Sequence, residues 1–257
     1  MDLPRARGTA WQASAYDDLP LPHVAWGDGV RDRLGPLPSG ARVLDAGCGT
    51  GRDAEALLAA HPEVRVVGLD ADAVMLERAQ DRLADHLDRV RLVHGDLAGD
   101  LTGADLGGSV DAVVSVAALH WVLDVDALAA TLHRVTRPGA RLVLECGGAG
   151  QLTAVEQVLA DLGEPPKSDV VFRTPDELAG ALARAGLDVA DARLRPHPVR
   201  LDDLDLLARY LAVVVLRLHA AALPEPERLP WARRVAERLP ERTVDYVRLE
   251  VEATRPG

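Results

Sequence analysis

Three acidic residues stand at the ends of three short apolar runs: Asp45 after Val43-Leu44, Asp70 after Val66-Val67-Gly68-Leu69, and Asp96 after His94-Gly95. The first is followed by Gly47, Gly49 and Gly51 on alternate positions. Glycines at this spacing let the backbone pass against a ligand with no side chain between them. A helix opening near Arg52 then points its free N–H groups at the same place. Asp70, nineteen residues beyond Gly51 (70 minus 51), is placed to accept two ribose hydroxyls, with Ala71 beside it. Asp96 can accept the amino hydrogens of an adenine while Leu97 packs on the ring. Any one of these acids is equally a helix cap or a turn residue. Three in register with a glycine floor, which also takes in Cys48, read as a nucleoside-cofactor site.

Two adenine cofactors compete for that floor, a nicotinamide dinucleotide and S-adenosylmethionine. The dinucleotide fingerprint GxGxxG needs its third glycine where this chain has Arg52. Asp45, two residues before Gly47, would also set a negative charge near a pyrophosphate, whereas a methionine ammonium or a sulfonium would welcome it. The spacing therefore favours S-adenosylmethionine.

A second stretch able to do chemistry is Ser115-Val116-Ala117-Ala118-Leu119-His120-Trp121, which follows the fourth apolar run and opens beside the expected sulfonium. Ser115 is a candidate cofactor contact, and His120 a candidate base for an acceptor hydroxyl. Trp121 is read as a pocket wall. From the N-terminal segment, Trp11, Tyr16 and Trp26 can fold over the site, with Tyr16 on the cofactor carboxylate and Trp26 in the substrate pocket. Arg173, Arg200, Arg209 and Arg217 are candidates for an acidic acceptor, although arginines on helices are commonly solvated. The apolar stretch Leu204 to Leu218 suits a lipophilic acceptor or simple cap packing. Asp124 and Asp126 precede a helix and read as caps, so no metal is expected. Cys48 and Cys146 have no CxxC or Cys/His neighbours and read as buried thiols.

The elements that must carry these residues alternate. Strands are predicted at Arg42 to Ala46, Val64 to Leu69, Val90 to His94, Val110 to Val116 and Arg141 to Cys146, and helices at Asp53 to Ala60, Ala73 to His86 and Val125 to Val135. Such alternation implies parallel βαβ units, with ligands at the carboxyl ends of the strands. Before them lies a leading helix from Pro20 to Leu34. After them come helices at Leu152 to Leu162 and from Thr174-Pro175 to Gly186, a sixth strand at Leu187 to Leu194 and a seventh at Val244 to Ala253. The almost fifty residues between those last strands exceed a hairpin and predict a cap, with helices at Leu204 to Leu218 and Trp231 to Leu239. The divisions expected are an arm and lid helix (1–40), an α/β core (41–194), a helical cap (195–243) and a final core strand (244–257).

Composition narrows the partners. A 257-residue chain that is 48% hydrophobic can bury a large core, and no apolar run approaches the ~18–20 residues of a bilayer span. Met1-Asp2-Leu3-Pro4-Arg5 lacks the apolar core of a signal peptide, so a soluble cytoplasmic protein without membrane association is expected. A net charge of −11 opposes phosphate backbones, and 3% aromatic residues leave few stacking platforms, so nucleic acid is not the expected partner. Oligomeric state is left open.

Asp45 to Gly51, Gly68-Leu69-Asp70, Gly95-Asp96-Leu97 and Arg137-Pro138-Gly139 together make the chain resemble class I S-adenosylmethionine-dependent methyltransferases. Ala117 to Trp121, Glu145-Cys146-Gly147-Gly148, Phe172-Arg173-Thr174-Pro175 and Asp245 to Leu249 extend the similarity to the small-molecule subgroup that includes trans-aconitate methyltransferase. Ala140, where the family usually has glycine, and Val170-Val171, where relatives often carry aromatics, depart from it. The resemblance implies a Rossmann-like seven-stranded sheet with an antiparallel last strand, helices on both faces and a helical cap. It also implies a substrate pocket including Phe172 and Arg173, and methyl transfer to oxygen or carbon of a carboxylic acid or natural-product metabolite. A relative that keeps the cofactor but rearranges or only binds a metabolite is the alternative.

Overall fold

The computed structural model describes residues 19, 23–165 and 167–257. Its centre is a seven-stranded sheet of β1 (Arg42–Ala46), β2 (Arg65–Asp70), β3 (Val90–His94), β4 (Val110–Val116), β5 (Thr136–Gly147), β6 (Asp188–Pro196) and, last in the chain, β9 (Val247–Thr254). The order is β3-β2-β1-β4-β5-β9-β6, with β9 antiparallel to both neighbours and the first five strands parallel. Strand order reverses between β1 and β4, so the carboxyl ends of these two strands form the crevice where such sheets receive ligands.

Helices cover both faces. α1 (His23–Leu34), α2 (Arg52–Ala60) and α3 (Ala73–Arg82) bury Val30, Leu34, Leu57, Leu58 and Ala79 against one. α4 (Val125–Val135) and α6 (Pro175–Arg184) bury Leu128, Leu132, Leu178 and Leu182 against the other. Asp72 and Asp124 cap α3 and α4, and Thr174 with Glu177 forms a capping box on α6. Asp124 therefore does the work a helix N-terminus asks of it.

Beyond the sheet lies a second apolar cluster. α5 (Thr153–Asp161), α7 (Leu204–Tyr210), α8 (Arg217–Ala221) and α9 (Glu225–Ala236) contribute Val155, Leu159, Leu207, Tyr210, Trp231 and Val235, and Trp26 joins them from α1. A short ladder of β7 (Val199–Arg200) and β8 (Thr243–Val244) closes its base. The single helix expected from Leu204 to Leu218 is broken: the chain unwinds into a π turn at Leu211–Val215 before α8 begins. The last helix starts earlier than expected because Pro226 falls in the first turn, where a missing N–H costs nothing. The seventh strand is likewise interrupted at Asp245-Tyr246, whose side chains leave the ladder to serve α5 and Tyr210. No described helix is long and apolar enough to cross a membrane.

Candidate active site

The glycine turn is built on one carbonyl. Leu69 O accepts from both Gly47 N (2.8 Å) and Cys48 N (3.0 Å), tying the end of β1 to the end of β2. Gly47, Gly49 and Gly51 all have positive φ, at 80°, 53° and 80°. A Cβ on Gly47 would lie 2.2 Å from the Cβ of Ala118, and one on Gly51 would press on Leu83 and Ala79. Gly49 differs: a Cβ there meets nothing within 4 Å, so its outer side is open space. Two of the glycines thus let the fold close and the third leaves room for a ligand.

Asp45 is 1% exposed, and its Oδ2 has no hydrogen-bond partner among the described residues. Burial, reinforced by the charges of Asp53 and Asp70, pushes its pKa well above the ordinary carboxylate value, against the backbone amide of Ala54 at the start of α2. Asp53 is held by Arg31 (2.7 Å) and lies so close to Gly27 that a Cβ there would come within 2.0 Å of it. An unpaired buried carboxylate oxygen is expensive, and a cationic group beside it would recover that cost. Asp70 is fixed from both sides, Oδ2 accepting from Gly49 N (2.8 Å) and Oδ1 from Asp72 N (2.9 Å). Each oxygen keeps a lone pair for a further donor. Ala71 is exposed beside it. Asp96 is exposed and accepts from Ala98 N, while Leu97 is buried in the core cluster with Leu69. Cys48 is buried against Gly68, and burial raises its thiol pKa.

Two site residues expected from the sequence have side chains that bond backbone carbonyls. Ser115 is fully buried and its hydroxyl donates to Ala46 O at 2.7 Å, so it stitches β4 to β1 instead of presenting itself to a cofactor. Arg173 spends its guanidinium on the carbonyls of Leu119, Val122 and Leu123 (3.4, 2.7 and 2.8 Å), clamping the turn that carries His120. It is a strut for the pocket, not an anion receptor. Tyr16 and Trp11 lie outside the described residues.

Around that turn the structure gathers His120, Trp121 and Phe172, with ring centroids 5.1 and 5.8 Å from His120. His120 Nδ1 accepts from Gly147 N at 3.3 Å. The neutral ring therefore carries its proton on Nε2, which makes it a donor there and leaves no lone pair for a base. Ala117, left-handed at φ 54° and donating to Glu145 O, turns the chain at the end of β4, where strain of ~1–3 kcal/mol is tolerated because both flanks are pinned. Arg217 lies over Trp121 (4.7 Å) and pairs with Asp169. Arg200 pairs with Asp202 at the surface, and Arg209 is exposed.

Sequence reasoning missed a buried charged network on β5 and β9. Arg248, 2% exposed, bonds Glu145 (3.3 Å) and Gln151 (3.2 Å) under the ring of Trp26, 3.8 Å away. Trp26 also meets Tyr246 edge-on at 5.2 Å, and the Tyr246 hydroxyl lies 2.5 Å from that of Tyr210. Burial pushes the Tyr246 pKa to about 12. The available signal was alternation in the last strand, where Arg248, Glu250 and Glu252 interleave with Leu249, Val251 and Ala253.

A family model described as a methyltransferase domain matches residues 43–139, the glycine turn and the strands around it. Residues 43–139 are thus similar to a methyltransferase domain. The trans-aconitate 2-methyltransferase of Deinococcus radiodurans is 38% identical over 105 residues, 41% of this chain and 37% of that one. The enzyme of the same name from Azoarcus sp. (strain BH72) is 29% identical over 218 residues, 77% and 78% of the two chains. Against the first three curated relatives the matched region spans only 37%, 40% and 50% of their lengths. Among solved structures, the [4+2]-cyclase SpnF superposes with a TM-score of 0.62 at 20% identity, over 90% of this chain and 81% of that one. The matched segment and the sheet that completes it have the Rossmann-like class I architecture, with the last strand antiparallel.

In the glycine turn Gly47→Ala combines a forbidden contact with a left-handed φ and is expected to lower thermal stability by about 2–4 kcal/mol, whereas Gly49→Ala loses about 1 kcal/mol. Thermal melts of both variants compare them directly. Arg173→Met should destabilise by about 2–4 kcal/mol in chemical denaturation, since three carbonyl partners lose a charged donor.

Proposed function

We propose that this protein transfers a methyl group from S-adenosylmethionine to a small-molecule acceptor. The observation that carries the reading is the buried Asp45 carboxylate, whose Oδ2 is unpartnered, beneath a glycine floor whose one open position adjoins the fixed carboxylate of Asp70. When bound, S-adenosylmethionine supplies a methyl carbon already activated by a sulfonium, so that proximity and alignment do most of the work. Asp45 would neutralise the ammonium of the methionine portion, Asp70 would accept the ribose hydroxyls, and Asp96 the adenine amino group. Gly47 to Gly51 give the backbone its close approach.

The acceptor side is formed by Ala117 to Trp121, Phe172 and the Arg248 network. A carboxylic acid or natural-product metabolite methylated on oxygen or carbon is the acceptor class we favour, in keeping with the names of the trans-aconitate methyltransferases above. His120, held with Nδ1 toward Gly147, would serve as a donor that orients the acceptor, in place of the base read from sequence. Trp121, and Trp26 on α1, would bound the pocket.

Calorimetry should show both S-adenosylmethionine and S-adenosylhomocysteine binding, with Asp70→Ala weakening each by about tenfold or more. No heat from either ligand in the wild type would end the cofactor reading. Because burial raises the pKa of Asp45, a cation that draws it into the ionised form must release a proton. Affinity is therefore expected to fall as pH drops into the range where Asp45 is protonated, and Asp45→Asn should flatten that dependence. Radiolabel from the methyl group should enter an organic extract of the source cells; cofactor binding with no labelled acceptor would favour a rearrangement or binding role. For His120, a kcat profile without a histidine-range acid limb agrees with a donor, and a limb abolished by His120→Gln would reinstate the base.

A further inference from the structure

Of the arginines that sequence places near an acidic acceptor, Arg173 is consumed by carbonyls, Arg217 faces Asp169 and Arg200 faces Asp202. Arg248 is different. It stands on an inner strand, pairs across the ladder with Gly147, and is 2% exposed, yet its Nη2 has no hydrogen-bond partner among the described residues. A buried charged donor left unpaired costs roughly 1–3 kcal/mol or more, a cost natural structures seldom carry without a use.

We infer that Arg248 and Gln151 form an anchoring site for a carboxylate group of the acceptor, an inference that rests on the acceptor side of the reading above. The guanidinium is held rigid by three contacts: Nε to Glu145, Nη1 to Gln151 Oε1, and its face to Trp26. Its remaining nitrogen lies in the same plane, the geometry that meets a flat, two-oxygen group. Arginine can only donate, so Gln151 must turn its oxygen to Arg248 and its amide nitrogen away. That nitrogen points at Gly147, where an added Cβ would sit 2.6 Å from it. Gly147 in turn donates to His120, so Arg248 and Gln151 stand one residue from the turn that flanks the expected methyl.

Charge limits the occupant. Among the described residues the buried part of the ion-paired network, Arg33 and Arg248 with Glu145 and Glu250, is already balanced, and Arg193, Arg195 and Asp191 at its edge are solvated. A single negative charge on the free Nη2 therefore disturbs that balance least. A phosphate dianion would exceed that balance and face Glu145 directly, so a carboxylate is the better occupant.

The test uses the full-length protein saturated with S-adenosylhomocysteine and titrated calorimetrically with isovalerate, fumarate and trans-aconitate, each paired with its neutral methyl ester. At least one acid should bind about tenfold more tightly than its ester. Gln151→Leu, which leaves the Arg248–Glu145 pair in place, and Arg248→Lys should each erase most of that preference while S-adenosylhomocysteine affinity stays within about twofold. A folded Gln151→Leu protein that keeps the full preference overturns the inference, as does a panel in which no acid outbinds its ester. If S-adenosylhomocysteine itself does not bind, the cofactor reading fails on its own. The same panel on the free protein still decides the anchor.

Discussion

The carbonyl of Leu69 is the point from which the site is assembled. Accepting two successive amides forces the chain to reverse within three residues, and only left-handed backbone can do this. The reversal directs Gly49 N at Asp70, which fixes that carboxylate, and starts α2 so that the amide of Ala54 comes to Asp45. It also carries Gly47 so near Ala118 that the end of β4 has no freedom of position. One steric constraint thus places Asp45, Asp70 and the turn of Ala117 to Trp121 relative to each other, at the crevice where strand order reverses.

Buried charge is the second constraint, and it lies on a single face of the sheet. Asp45 on β1, Glu145 on β5, and Arg248 and Glu250 on β9 all point to the side covered by α1, whose Arg31 and Arg33 reach Asp53, Glu145 and Glu250. Taking such groups out of water is unfavourable unless they are paired or wait for a ligand. Most are paired. Among the atoms on this face without a hydrogen-bond partner, Asp45 Oδ2 belongs to a carboxylate, and Arg248 Nη2 and Arg33 Nη1 belong to guanidiniums. This polarity sets a cation-seeking end near the glycine floor and an anion-seeking end near the cap, with the turn of Ala117 to Trp121 between them.

What was legible in the sequence follows from how local each signal is. The glycine spacing and the acids after β1, β2 and β3 depend on residues close in the chain, and the alternation of strands and helices gave the sheet. The bonds of Ser115 and Arg173 were not legible because they are made to distant carbonyls, on Ala46 in one case and on Leu119 to Leu123 in the other. The cap was legible as an excess of chain between two strands, but not its π turn, because Leu204 to Leu218 is apolar throughout and carries no breaker. Arg248 was hidden for a related reason: an arginine on a strand reads as solvent-facing until α1 and the cap are laid over it.

Under the proposed function, the turn of Ala117 to Trp121 and the charged network also explain each other. With Gly147 donating to Nδ1, His120 offers a proton and not a lone pair, and the neighbouring groups from Gln151 and Arg248 are donors as well. A pocket of donors is poorly suited to deprotonating a neutral hydroxyl, and well suited to holding an oxygen nucleophile that arrives already ionised. A carboxylate meets that description at neutral pH, needing alignment but no base. The clamp of Arg173 then acquires a chemical meaning. By fixing the three carbonyls of the His120 turn it fixes the direction of the N–H that such an acceptor would meet, which is where a reaction governed by alignment is most sensitive to structure.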